Sequence, residues 1–97
     1  MESNETLYND ALKKFGKSRQ SIIAMEELSE LQKEISKFLR DKGDSDHLAE
    51  EVADVEIMIE QLKQFYDISN EVFEWKRKKL ARLAKIIHEW CNLHALY

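Results

Sequence analysis

Proline is absent from this chain, glycine occurs only at Gly16 and Gly43, and cysteine only at Cys91. With so few breakers and turn formers, and with Ala, Leu, Glu, Lys, Gln and Arg abundant, the composition favours helix nearly throughout and argues against a sheet. A single cysteine cannot form an intrachain disulfide, and no clustered Cys and His offer a zinc site. No apolar run approaches the roughly 20 residues that cross a bilayer, which excludes a membrane span. The N-terminal stretch MESNETLYND lacks the basic start and apolar core of a signal peptide, so a cytoplasmic protein is expected. There is no glycine-rich phosphate loop, so any phosphate must be held by metal and lysines and not by backbone amides. The net charge of −4 argues against a nucleic-acid binder, although Lys76-Arg77-Lys78-Lys79 is locally basic.

What is present divides into four helical segments. The 97 residues are expected to form one domain over 1–97, too small to bury much of its surface alone and therefore helped by self-association. The first segment runs from a cap at Ser3 or Asn4 through Leu7, Tyr8, Ala11, Leu12 and Phe15 to Gly16. The second begins after Ser18, read as its cap, and carries Ala24, Leu28, Leu31, Ile35, Phe38 and Leu39 on one face before the polar stretch DKGDSD. The third starts near Ser45 or Asp46 and spaces Leu48, Val52, Val55, Ile59, Leu62 and Tyr66 by threes and fours. The fourth follows Asp67 or Ser69 and aligns Val72, Leu80, Leu83, Ile87 and Trp90.

Against this pattern, a few acids fall where an apolar side chain belongs. At about 100° per residue, Glu51 lies inside the apolar arc of the third segment and Asp54 at its edge, whereas Glu56 and Glu60 point to the opposite, solvated side. In the second segment Glu27, Glu30 and Glu34 share one ridge, with Glu26 further outward. Like charges at these spacings repel, and the conflict deepens if the two helices pack as an antiparallel pair. A divalent cation resolves it. Hard oxygen ligands suit Mg²⁺, with Mn²⁺ as a substitute, and Mg²⁺ held by carboxylates commonly recruits substrate phosphates. The competing interpretation leaves Glu27, Glu30 and Glu34 on a solvated flank and Glu51 in a salt bridge with a lysine.

Glu26-Glu27-Leu28-Ser29-Glu30, then twenty residues, then Glu51-Val52-Ala53-Asp54, resembles the MazG-like nucleotide pyrophosphohydrolases, whose pattern is E-E-x-x-E, a spacer, then E-x-x-D. The flanking stretches KFGKSRQSIIAMEELSELQKEISKF and LAEEVADVEIMIEQLKQFY look like the compact, often phage-encoded members, and the likeness spans roughly residues 12 to 83. The resemblance implies an all-α fold: a four-helix chain in a bundle completed by oligomerisation, as a homodimer or homotetramer. It also implies hydrolysis of a (deoxy)nucleoside triphosphate between the α and β phosphates, giving a nucleoside monophosphate and pyrophosphate. Carried over by position, Glu27, Glu30, Glu51 and Asp54 are the expected metal ligands, with Glu27 or Glu30 the expected general base and Glu26 in a supporting role.

Four further residues are candidates for substrate contact. On the fourth segment Lys76 and Lys79 fall within the arc of Val72, Leu83 and Trp90, from which they could reach phosphate oxygens, with snorkelling or ion pairing as the alternative. Asn70 and Gln20 could contact sugar or base, and could equally be capping or surface residues. His47, at i−4 from Glu51, is a neighbour of the ligands or an ordinary helix-start residue. Two other functions fit the acidic helices: phosphoribosyl-ATP pyrophosphohydrolase, and a non-catalytic helical module whose acids and lysines pair between chains.

Overall fold

The computed structural model describes residues 3–94, and among them every regular element is helical: α1 (Asn4–Phe15), α2 (Lys17–Leu39), α3 (Ser45–Phe65) and α4 (Ser69–His94). The described residues group into two compact units, one with α1, α2 and α3 and ending at Asp67, the other with α4 and beginning at Ile68.

In the first unit the helix boundaries follow from their caps. Ser3 caps α1, its hydroxyl accepting from the Thr6 amide at 3.1 Å, an arrangement that typically contributes about 1 kcal/mol. Gly16 ends α1 and starts α2 by itself. Its amide donates to the Leu12 carbonyl at 2.9 Å and its carbonyl accepts from Gln20 at 3.2 Å, at φ 87°, where an L side chain is strained. The start of α2 is thus Lys17, and the expected cap at Ser18 is replaced by this glycine hinge. α3 begins at Ser45, as expected, and Asp44 caps it, its Oδ1 accepting from the Asp46 amide at 2.8 Å and from His47 at 3.4 Å. Those two donors hold the Asp44 carboxyl below its ordinary range. Between α2 and α3, a Cβ at Gly43 would fall on the Phe38 ring, so any larger residue here requires that ring to move.

α3 packs along α2, and α1 packs against both of them. The buried face of α3 is Val55, Met58, Gln61 and Phe65, joined by Tyr8 from α1 and Ala24 from α2. Each large apolar member of this small core contributes roughly 1.5–3 kcal/mol by leaving water. The periodicity of α3 is as expected, but its buried face is rotated: Val52 and Ile59 are exposed, and Glu51 and Asp54 turn toward α2 with Val55. α2 likewise carries two apolar stripes where the sequence reads as one. Ala24 and Leu31 face the core, while Leu28, Ile35 and Leu39 are exposed.

The second unit is the single 26-residue helix α4. From Phe73 to Asn92 its residues are all exposed, including Trp75, Leu80, Leu83 and Ile87. Its ion pairs run along its own surface, Arg77 to Glu74 at 3.0 Å and Lys85 to Glu89 at 3.9 Å. Among the described residues, no helix is long and apolar enough to cross a membrane.

Candidate functional site

The register of α2 against α3 is pinned by two glutamines. Gln20 and Gln61 are both buried, and Gln20 Nε2 donates to Gln61 Oε1 at 2.8 Å. Gln61 Nε2 points to the Met58 sulfur at 3.7 Å. Seven residues along each antiparallel helix is two turns, which returns to the same face. That step carries Gln20 to Glu27 and Gln61 to Asp54, so the contact that fixes the glutamines also sets two carboxylates opposite each other.

There the acids converge. One carboxylate oxygen from each of Glu27, Glu51 and Asp54 lies within 4.8 Å of the others, on side chains that are half-buried. Burial is the first cause raising the pKa of Glu27. Asp54 beside it adds both its charge and a hydrogen bond, and Glu51 and Glu30 add more charge. Glu51 is raised by loss of water around its carboxylate and by the charges of Asp54, Glu30, Glu50 and Glu34. Its Oε2 is inaccessible and has no hydrogen-bond partner. Among the described residues the ion pairs are Lys37–Glu34, Arg77–Glu74 and Lys85–Glu89, and none of them touches the three acids. The lysine that a purely structural Glu51 would need is therefore not supplied.

The sequence candidates separate at this point. Glu27, Glu51 and Asp54 come together, whereas Glu30 is exposed at the rim, acting on Glu27 and Glu51 through its charge. Gln20 is an interior residue, 6% exposed, whose Oε1 is left without a partner. It is neither a cap nor a surface side chain. Asn70, Lys76 and Lys79 belong to the second unit and are exposed, with the Lys79 ammonium 5.8 Å from the Trp75 ring centroid. His47 is exposed at the start of α3.

Two acids have surroundings that the helical wheel does not reveal. Glu34 is not on a solvated flank: it is 7% exposed, with Oε1 paired to Lys37 at 2.9 Å and Oε2 unpartnered. Its spacing of seven from Glu27 is the signal that could have placed it on the packed face. Glu60 is exposed, as the wheel predicts, but it has a partner there, since the Tyr8 hydroxyl of α1 donates to its Oε2. That bond, followed by burial and the Glu60 charge, pushes the Tyr8 hydroxyl up to about 12.

Three carboxylates of hard oxygen donors, held between two helices, with an inaccessible oxygen and no cationic side chain bonded to them, form a set that fits a divalent cation such as Mg²⁺. Comparison of the chain with family models, curated proteins and solved structures finds no match.

Proposed function

We propose that this chain is a Mg²⁺-dependent nucleoside triphosphate pyrophosphohydrolase, cleaving (deoxy)nucleoside triphosphates between the α and β phosphates to release pyrophosphate. The observation that supports this reading is the meeting of Glu27, Glu51 and Asp54 without a cationic partner, at the positions where the sequence resembles the MazG-like motif. Glu27, Glu51 and Asp54 are the proposed holders of Mg²⁺ or Mn²⁺, with Glu30 joining from the rim. A divalent ion bound there supplies charge neutralisation of the triphosphate and a lower pKa for a coordinated water.

The remaining chemistry falls to the chain's own groups. In the hydrolysis, the water oxygen bonds to the α-phosphorus while the bond to the oxygen bridging α and β breaks, and the water's proton passes to a carboxylate. Glu27 is one candidate for that role, lying between the helices beside Asp54 and Glu51. Glu30 is the alternative base, being exposed and adjacent to the triad. Lys76 and Lys79 as phosphate contacts, with Asn70 and Gln20 as sugar or base contacts, stay in the proposal on the sequence argument. Assembly into a homodimer or homotetramer in a cytoplasmic setting belongs to the same reading.

The test is to incubate purified protein with a panel of nucleoside triphosphates and phosphoribosyl-ATP, with and without Mg²⁺, and to measure pyrophosphate separately from orthophosphate. Mg²⁺-dependent pyrophosphate release from a nucleoside triphosphate is expected. Release only from phosphoribosyl-ATP would move the chain to that related activity. No cleavage of any substrate, with no Mg²⁺ effect on thermal stability, would leave the non-catalytic helical module, a reading favoured by the exposed apolar residues of α4.

A further inference from the structure

The second apolar stripe of α2 has no occupant in the unit that contains it. Met25, Leu28, Gln32, Ile35 and Leu39 follow one another at spacings of three and four, the repeat of a helix–helix seam. The stripe lies about 100° round the helix from the face that packs on α3. Met25 is 67% exposed, Leu28 48%, Ile35 46% and Leu39 83%. Together they leave on the order of 400 Å² of apolar surface in water, the scale of the largest patch on a typical monomer.

The order of residues along this stripe is self-complementary about Gln32. In an antiparallel pairing of α2 with the α2 of a second copy, centred on Gln32, Leu28 of one helix falls opposite Ser36 of the other, and Ile35 opposite Ser29. Large side chains then meet small ones from both directions, the interdigitation that close packing requires. Met25 falls opposite Leu39 at each end. A two-fold interface demands this reciprocity, since residue i must suit residue j while j suits i. At the centre the two Gln32 amides face each other and can exchange hydrogen bonds, fixing the register as a polar seam residue does.

Charge selects the same orientation. The first half of the seam region carries Glu26, Glu27 and Glu30, and the second half carries Lys33, Lys37 and Arg40 with Glu34 already neutralised by Lys37. A parallel, in-register pair would set acid beside acid and base beside base, whereas the antiparallel pair sets the acidic half against the basic half. With the flanking Ile22, Ser29 and Ser36, the area covered approaches the roughly 800 Å² per partner of a standard interface.

We infer that this face of α2 is a two-fold homodimer interface, in which a second copy of the chain lies antiparallel across Met25, Leu28, Gln32, Ile35 and Leu39. This names the contact surface for the assembly within the proposed function, and it does not depend on catalysis.

The experiment uses the full chain carrying Cys91→Ser. Light scattering gives its mass, and Met25→Cys and Leu39→Cys variants are mixed under mild oxidation. The expected result is a dimer in which Met25→Cys cross-links to Leu39→Cys in the mixture, while Met25→Cys alone stays uncross-linked. Cross-linking of Met25→Cys to itself would overturn the antiparallel arrangement. A dimer with neither cross-link would place the interface elsewhere, and a monomer would overturn the assembly, as when α2 is covered within its own chain. As a second arm, Leu28→Asp with Ile35→Asp alters only exposed positions. The expected outcome is a helical monomer by circular dichroism and light scattering, and a dimer that survives both aspartates would contradict the interface. Pyrophosphate release, measured separately, leaves the face testable whether or not the enzyme reading holds.

Discussion

α3 is packed on two sides, and the two seams treat their acids in opposite ways. Along α1, Glu60 accepts from the Tyr8 hydroxyl, and Gln64 donates to the Glu5 carbonyl at 2.9 Å and to Asn9 Oδ1 at 2.7 Å, so each polar group meets a complementary partner. Along α2, Glu27, Glu51 and Asp54 meet one another, and no lysine, arginine or histidine bonds to them among the described residues. Glutamates on one helix are thus structural on one face and chemically expectant on the other. What distinguishes them is the identity of the groups supplied by the facing helix, a property that no single-helix periodicity contains.

The comparison is tested most severely by Glu51→Gln against Glu60→Gln. If the α2 seam holds catalytic metal, Glu51→Gln is expected to lower pyrophosphate release by about a hundredfold or more, with helicity unchanged by circular dichroism. Glu60→Gln keeps a carbonyl acceptor for Tyr8 and is expected to change turnover by no more than about threefold. Equal losses in the two variants would erase the distinction between the seams.

Thermal stability sharpens it further. Mg²⁺ is expected to raise Tm by several degrees, on the scale where about 1 kcal/mol moves a domain of this size by 4–8 °C, and to raise it further with concentration. The same titration on Glu51→Gln is expected to be nearly flat.

The pH dependence follows from the raised pKa values of Glu27 and Glu51. A raised carboxyl means the native state still holds a proton that the unfolded chain has released, so the cluster favours folding most when protonated. Its contribution is fully present below the ordinary glutamate value of 4.5 and is lost as pH rises through the raised values. Without divalent ions, Tm is therefore expected to climb as pH falls through the raised values toward 4.5, and Glu51→Gln is expected to flatten the slope. Asp44 acts in the other direction, but its contribution is lost only as pH falls below its ordinary 3.8, outside this window.

The smallest effect belongs to the α1 seam. Tyr8→Phe removes the donor to Glu60 and is expected to cost about 1 kcal/mol in a denaturant titration, with pyrophosphate release unchanged.

How much of this was legible from residue order follows the same division. The four helices, the break at Gly16 and the inward turn of Glu51 were readable because they depend on local period and on glycine. The start of α3 near Ser45 was readable too, but Asp44, Ser45 and Asp46 are all competent caps, and only hydrogen-bond geometry chooses Asp44 among them. The rotation of the buried face of α3 was not readable, since Val52, Val55, Met58 and Ile59 are all apolar and the neighbours decide which are covered. The partners of Glu34 and Glu60 were not readable for the same reason: Lys37 on the next turn and Tyr8 on another helix are chosen by packing. The second stripe of α2 was merged with the first, because a helix that serves two neighbours shows one broad apolar arc.

The most direct test of the contrast between the seams is a Mn²⁺ titration of the purified protein, followed by loss of the free-ion electron paramagnetic resonance signal. The account expects saturable binding that is displaced by Mg²⁺, abolished by Glu51→Gln and retained by Glu60→Gln. Binding that survives Glu51→Gln unchanged, or no binding at millimolar Mn²⁺, would contradict the claim that the α2–α3 acids are a metal centre.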